Sequence, residues 1–162
     1  CDICDLHDIM HQPVGTLSGG QRRRCDIARA LIPEPEILIL DEPSTGLDPK
    51  ARKQLWDTIS ALHRERHMTV FMTTHYMEEA IRAGRVIVID DGKIKLDGTP
   101  REVFSAVDAV KAAGLDVPQV TELMLEIRRD GFLLPADTLT FAEGADAIEA
   151  YILQSKDKKE HS

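Results

Sequence analysis

Hydrophobic positions along this chain alternate between two spacings, one helical and one strand-like, and the changes fall at turn residues. From "GTLSGGQRRRCDIARALI" the spacing is helical, with Cys25, Ala28, Leu31 and Ile32 on one side. The aliphatic run in "EPEILILD" is unbroken, the pattern of a strand buried on both faces of a parallel sheet. Asp48 and Pro49 read as N-cap and first residue of the helix "KARKQLWDTISALHRER", whose apolar stripe is Leu55, Ile59 and Leu62. A second strand "MTVFMTT", a short helix "YMEEAIRAG" closed by Gly84, and a third strand "RVIVID" follow. Asp91-Gly92 predicts a two-residue hairpin turn into "KIKLDG". Strand, helix, strand, helix, strand is the rhythm of an α/β fold, whose sites lie beyond the carboxyl ends of the strands. Asp41, Glu42 and His75 all fall at such ends.

After Gly98 the character changes. "TPRE" is a capping box with Pro in the first turn, and short helices follow it. Val120, Leu123, Met124 and Ile127 recur at helical spacing before Gly131. Thr140 and Glu143 form another capping box ahead of Phe141, Ala145, Ile148 and Ile152. The pattern predicts an α/β segment over residues 1–98 and a small helical appendage over 99–162, with a polar, frayed tail "QSKDKKEHS".

Composition narrows the class. The 162 residues suffice for one domain with a core, and 43% hydrophobic with 30% charged residues is ordinary for a globular chain. A net charge of −8 argues against nucleic acid as a partner, because no dense basic face is available to neutralise phosphates. No apolar run approaches the length of a membrane span. Three cysteines, an odd number, suggest reduced thiols. The "CDIC" at Cys1 to Cys4 has the spacing of a redox or metal pair, but no second pair follows, which favours incidental positions in a helix.

Chemistry concentrates in four places. Asp41 at a strand tip can hold the water shell of a Mg²⁺ bound to phosphates, and Glu42 can accept a proton from an attacking water. The plainer alternative is a strand that simply ends in polar residues. Ser18 and Gln21 have capping-box spacing, while Gly19 and Gly20 leave a helix N-terminus unshielded enough to hold an anion; the two readings are compatible. His75 can donate to a phosphate oxygen or orient a water, or be an ordinary satisfied polar residue. "PSTGLDP" is a turn capped by Asp48, or a contact with a partner.

Order and spacing join these signals. LSGGQ, an aliphatic run into Asp-Glu, a turn ending in Leu-Asp and then a strand-end His together resemble the ATP-binding subunit of ABC transporters, over residues 13 to about 100. The resemblance implies a P-loop NTPase-like parallel sheet with flanking helices, lacking its N-terminal part. It makes Leu17, Ser18, Gly19, Gly20 and Gln21 the signature motif, which contacts nucleotide, and Asp41 the Walker B aspartate that holds Mg²⁺ through water. Glu42 becomes the catalytic glutamate, Thr45 to Asp48 the D-loop, and His75 the switch histidine. Ser44-Thr45 reverses the family's commoner Thr-Ser order. No Gly-x-x-x-x-Gly-Lys-Ser/Thr loop occurs in these residues. The family's phosphate loop and Q-loop glutamine lie before the signature, and the signature of one subunit closes over nucleotide held by another.

The segment "DGTPREVFSAVDAVKAAGLDVPQVTELMLEIRRDG" resembles the region past the ATPase core in energy-coupling factor transporters, which import vitamins and metal ions such as cobalt; helices there help two ATPases dimerise. "LSGGQRRRCDIARALI" and "STGLDP" look more like drug-exporter ATPases. The resemblance therefore implies an ATPase using ATP and Mg²⁺. It would be paired with a second ATPase subunit in a homo- or heterodimer and docked on a transmembrane transporter subunit, cytoplasmic and peripheral on the inner face of the membrane. A drug or polysaccharide exporter ATPase is the alternative within the family. A non-catalytic interaction module is the alternative outside it. With the strand and loop that grip phosphates absent, aliphatic surface and unpaired strand edges are expected to be exposed, leaving the chain marginal or oligomeric. Titrating the 162-residue chain with Mg-ATP should give weak or undetectable binding; micromolar affinity with turnover would sink that expectation.

Overall fold

The computed structural model describes residues 4–160, with side chains through residue 154. It forms two compact units that divide between Thr74 and His75. In the first, β1 (Ile37–Leu40) and β2 (Thr69–Met72) pair in parallel, joined by α2 (Pro49–Arg66). Parallel strands need such a long crossover. Asp48 starts α2 by accepting from the Lys50 and Ala51 N–H groups, with Pro49 in the first turn. His67 ends it in a left-handed conformation. α1 (Gly19–Ala30) packs against α2, and Cys4, Ile27, Leu38, Leu40, Leu55, Trp56 and Leu62 form the core.

Two sequence expectations are corrected here. The buried residue of α1 is Ile27, with Ala28 and Leu31 packed beside it; Ile32 lies past the end of the helix and is exposed. β1 is buried on one face only. Leu38 and Leu40 point inward, while Ile37 and Ile39 are 59% and 72% exposed, and Phe71, paired with Ile39, is 48% exposed. An unbroken aliphatic run marks two apolar faces, but among the described residues the core packs only on the Leu38–Leu40 side. The uncovered aliphatic surface is of the kind expected.

In the second unit, β3 (Val86–Asp90) and β4 (Lys93–Gly98) form an antiparallel hairpin with a bulge at Val88/Ile89. Asp91 and Gly92 both have positive φ, 49° and 69°, as the predicted turn requires. The α/β rhythm of the sequence carried no pairing information: β3 hydrogen-bonds to β4, because a two-residue turn permits only antiparallel pairing. The short helix α3 (Met77–Ala80) stops ahead of Gly84. α4 (Pro100–Ser105) begins in the predicted Thr99–Glu102 capping box, and α5 (Val107–Ala112) follows directly. Val88, Val103, Phe104, Val110, Val117 and Leu139 share one core, so the hairpin and the helices after residue 98 are built together rather than divided there.

α6 (Gln119–Arg129) and α7 (Phe141–Glu160) enclose a smaller core of Val120, Met124 and Leu134, lined by Ile127, Ala147, Ile148 and Tyr151. The buried stripe of α7 is offset from the one predicted: Phe141, Ala145 and Ile152 face outward. Gly144 explains the offset, since a Cβ there would sit 2.7 Å from Val120 Cγ2, so α7 meets α6 through its smallest residue. On α6, Leu123 is half exposed, and Thr121 takes the interior position by donating to the Thr138 carbonyl. α7 extends into the polar tail as far as Glu160.

Three carboxyls of this unit are held below their usual range. Arg85 donates two bonds to Asp97, the Thr99 N–H and hydroxyl donate to Glu102, and the Leu139 N–H and Arg101 donate to Glu143. A lowered folded-state pKa contributes stability above the unfolded values of 3.8 for Asp97 and 4.5 for the glutamates, and that contribution is lost as pH falls through the folded values. Urea midpoints should therefore fall as pH drops from about 5 to about 3. Glu102→Gln, which keeps a capping acceptor without the charge, should flatten the dependence.

Candidate functional site

Leu40 pairs with Met72 at the end of β1, so Asp41 and Thr73 leave the sheet as neighbours. Thr73 Oγ1 donates to Asp41 Oδ1 at 2.5 Å and accepts from the Glu42 N–H at 2.9 Å. One hydroxyl thus fixes both strand-end acids. Glu42 has φ +38°, a left-handed backbone that costs a non-glycine residue about 1–3 kcal/mol and persists only where neighbours over-determine it. The neighbours do so. Thr45 Oγ1 donates to Glu42 Oε2 at 3.1 Å, and the Thr45 N–H donates to the Glu42 carbonyl. From α1, Arg23 Nη2 donates to the Asp41 carbonyl at 2.8 Å and its Nε to the Pro43 carbonyl at 3.1 Å.

The turn beyond is anchored inside the unit by buried Pro43 and Ser44, while both carboxylates stay exposed. Gly46 supplies positive φ, 74°, before the chain enters the Asp48 cap. At the start of α1, both halves of the predicted box are present: Ser18 Oγ accepts from the Gln21 N–H, and Gln21 Oε1 accepts from the Ser18 N–H. Gly19 and Gly20 occupy the first helical positions, whose N–H groups have no partner within a helix. Leu17 is buried, and its carbonyl accepts from Arg22. A Cβ on Gly20 would lie 2.6 Å from Ala51 Cβ, and one on Gly19 would lie 3.7 Å from Leu47. The starts of α1 and α2 are therefore in close contact, and Gly20 is required as much for that approach as for an open helix end.

The structure thus brings Asp41 and Glu42 together, and sets the Leu17–Gln21 turn against the Asp48-capped helix. His75 opens the second unit, its ring 4.2 Å from that of Tyr76. Sequence reading missed Thr73 and Arg23. Thr73 could have been found by aligning the ends of the two strands; Arg23, eighteen residues from Asp41, gives no local signal. Among the described residues no group of three or more His, Cys, Asp or Glu could hold a metal ion. A lone exposed Asp41 fits a cation that keeps its waters and takes its other ligands from phosphates. Cys4 is a core residue rather than part of a helix, and burial pushes its thiol pKa up, away from the thiolate that redox or metal chemistry needs. Cys1 lies outside the described residues.

A family model described as "ABC transporter" matches residues 2–45. The energy-coupling factor transporter ATP-binding protein EcfA1 of Caldanaerobacter subterraneus subsp. tengcongensis is 49% identical over 136 residues, covering 84% of this chain and 49% of that protein. EcfA2 of the same organism is 44% identical, covering 86% and 49%. EcfA1 of Clostridium novyi is 48% identical, covering 82% and 47%. The chain spans about half the length of the curated relatives it matches. Among solved structures, an inward-facing metal-chelate type ABC transporter aligns with TM-score 0.64 at 26% identity, covering 69% of this chain and 44% of its own. A dimeric ATP-binding cassette in a post-hydrolysis state, bound to ADP and Pi, aligns with TM-score 0.53 at 28% identity, covering 61% and 44%.

The close approach at Gly20 can be tested directly. Gly20→Ala should destabilise the first unit by about 1–3 kcal/mol through overpacking. Ala51→Gly should cost less on that background than alone, a coupling read from a double-mutant cycle of urea midpoints. Additive effects would mean that the two helix starts are not in contact.

Proposed function

Because this chain belongs to the ABC transporter ATP-binding proteins, of the energy-coupling factor kind, we propose that it forms the C-terminal part of an ATP-hydrolysing subunit that powers import of a vitamin or metal ion. The observation that carries the reading is the strand-end pair Asp41 and Glu42, held together by Thr73 and tied by Arg23 to α1, the helix that the Leu17–Gln21 turn opens. The subunit pairs with a second ATPase, identical or not, and docks on a transmembrane subunit at the inner face of the cell membrane. No helix of the described residues is long and apolar enough to cross a membrane. The dimeric cassette bound to ADP and Pi supports the pairing and the nucleotide. Residues 1–98 would carry the nucleotide-binding motifs, and the helices of 99–162, which share a core with the β3–β4 hairpin, would serve in dimerisation. Exposed Leu133, Phe141 and Leu153 supply apolar surface there.

In this reading Glu42 polarises the attacking water and accepts its proton, a role worth about 10²–10⁴-fold. Thr45, bonded to Oε2, and the left-handed backbone fix where that carboxylate points. Asp41 would hold Mg²⁺ through its waters, a cation that would offset charge on the phosphates. His75 donates to the γ-phosphate. Ser18 and the Gly19 and Gly20 amides face nucleotide held by the opposite subunit, where the positive end of α1 favours an anion. Asp48 sets the D-loop end.

In the full-length protein carrying this segment, Glu42→Gln is expected to abolish ATP turnover while leaving nucleotide affinity unchanged. Phosphate release and fluorescent-nucleotide titration measure the two; hydrolysis retained by the variant refutes the general-base role.

A further inference from the structure

We propose that Arg23 is a positioning residue for Glu42, and that through it the Leu17–Gln21 turn and the strand-end carboxylates respond to each other. The inference rests on the reading above and goes beyond it by naming the device that sets the general base. Three observations converge on Arg23. Its guanidinium donates to the Asp41 carbonyl at 2.8 Å and to the Pro43 carbonyl at 3.1 Å, the carbonyls of the residues just before and just after Glu42. Glu42, flanked by those two residues, holds a backbone conformation, φ +38°, that a glutamate rarely adopts. Arg23 itself sits two residues after Gln21, on the helix whose first turn carries the signature residues.

The geometry makes the link stiff. The guanidinium is planar, so two bonds to two carbonyls restrain their orientation as well as their distance. Gly20 against Ala51 leaves no slack between the starts of α1 and α2. A shift of the α1 start toward bound nucleotide is therefore carried to the Asp41–Pro43 turn through Arg23, and a shift of that turn is carried back. In a dimer where each signature faces the partner's nucleotide, closure at one site sets the general base belonging to the other. Arg23 touches no substrate in this scheme and acts only through Glu42. If Arg23 were merely a packing bond between a helix and a loop, its loss would lower stability and leave turnover per folded molecule unchanged.

The test uses the full-length protein and compares wild type, Glu42→Gln, Arg23→Met and Arg23→Lys for ATP turnover, its dependence on ATP concentration, nucleotide affinity and melting temperature. Arg23→Met is expected to lower kcat about 10- to 100-fold, the scale of a misplaced catalytic group, with nucleotide affinity within about twofold and a reduced Hill coefficient. Arg23→Lys, which keeps the charge but reaches one carbonyl, should fall between the two. An Arg23→Met protein that is folded and turns over within about twofold of wild type, while Glu42→Gln is inactive, overturns this inference and leaves the proposed function standing. A Glu42→Gln protein that hydrolyses ATP like wild type removes the proposed function, and this inference with it. Should Arg23→Met fail to fold, Arg23→Lys decides: wild-type kcat overturns the inference, and a severalfold loss at unchanged affinity supports it.

Discussion

Everything at the candidate site depends on the parallel register that sets Leu40 opposite Met72. One residue further on, Asp41 and Thr73 must emerge side by side, and a single hydroxyl can then hold the Asp41 carboxylate and the Glu42 amide at once. A slip by one residue would turn every side chain of β1 to the opposite face, moving Leu38 and Leu40 out of the core. The register is thus secured by burial at one end and read out as chemistry at the other. α2 makes it possible, because the crossover that returns the chain to β2 also supplies Leu55, Trp56 and Leu62 to the same core.

The site stores strain where its geometry matters most. A left-handed glutamate is unfavourable in isolation, and the bonds from Thr73, Thr45 and Arg23 come from three separate parts of the first unit. Beside it, two helix starts meet at Gly20 and Ala51 but are finished differently. α2 is capped by a carboxylate, Asp48, which complements its own dipole; α1 is capped by the neutral Ser18, which leaves the positive end of that helix available to an anion. Adjacent helices of the same unit are in this way given unlike electrostatic ends.

The second unit is organised by other means. Its hairpin and helices share small cores, and charged groups bridge segments far apart in sequence. Arg101 donates to the Asp137 carbonyl and to Glu143, joining α4 to the start of α7, and Lys111 pairs with Glu122 between α5 and α6. Exposed ion pairs of this kind add little stability individually, so they set orientation more than they strengthen the unit. The packing that does most is apolar: Met124 and Val110 are fully buried, and Gly144 lets α7 approach Val120.

What the sequence determined by itself was local. The Ser18–Gln21 and Thr99–Glu102 boxes, the Asp48 cap, the Asp91-Gly92 turn and the strand ending at Asp41 were all legible, because each depends on residues no more than about four positions apart and on rules that hold wherever the segment lies. The order of those motifs also pointed to the family. Tertiary structure alone decided that β1 buries one face, that Ile27 and not Ile32 is the interior residue of α1, that α7 turns Gly144 rather than Phe141 toward α6, and that Arg23 and Thr73 belong to the site. Those outcomes rest on contacts between residues about twenty to thirty positions apart, where periodicity names an apolar face but cannot say what covers it.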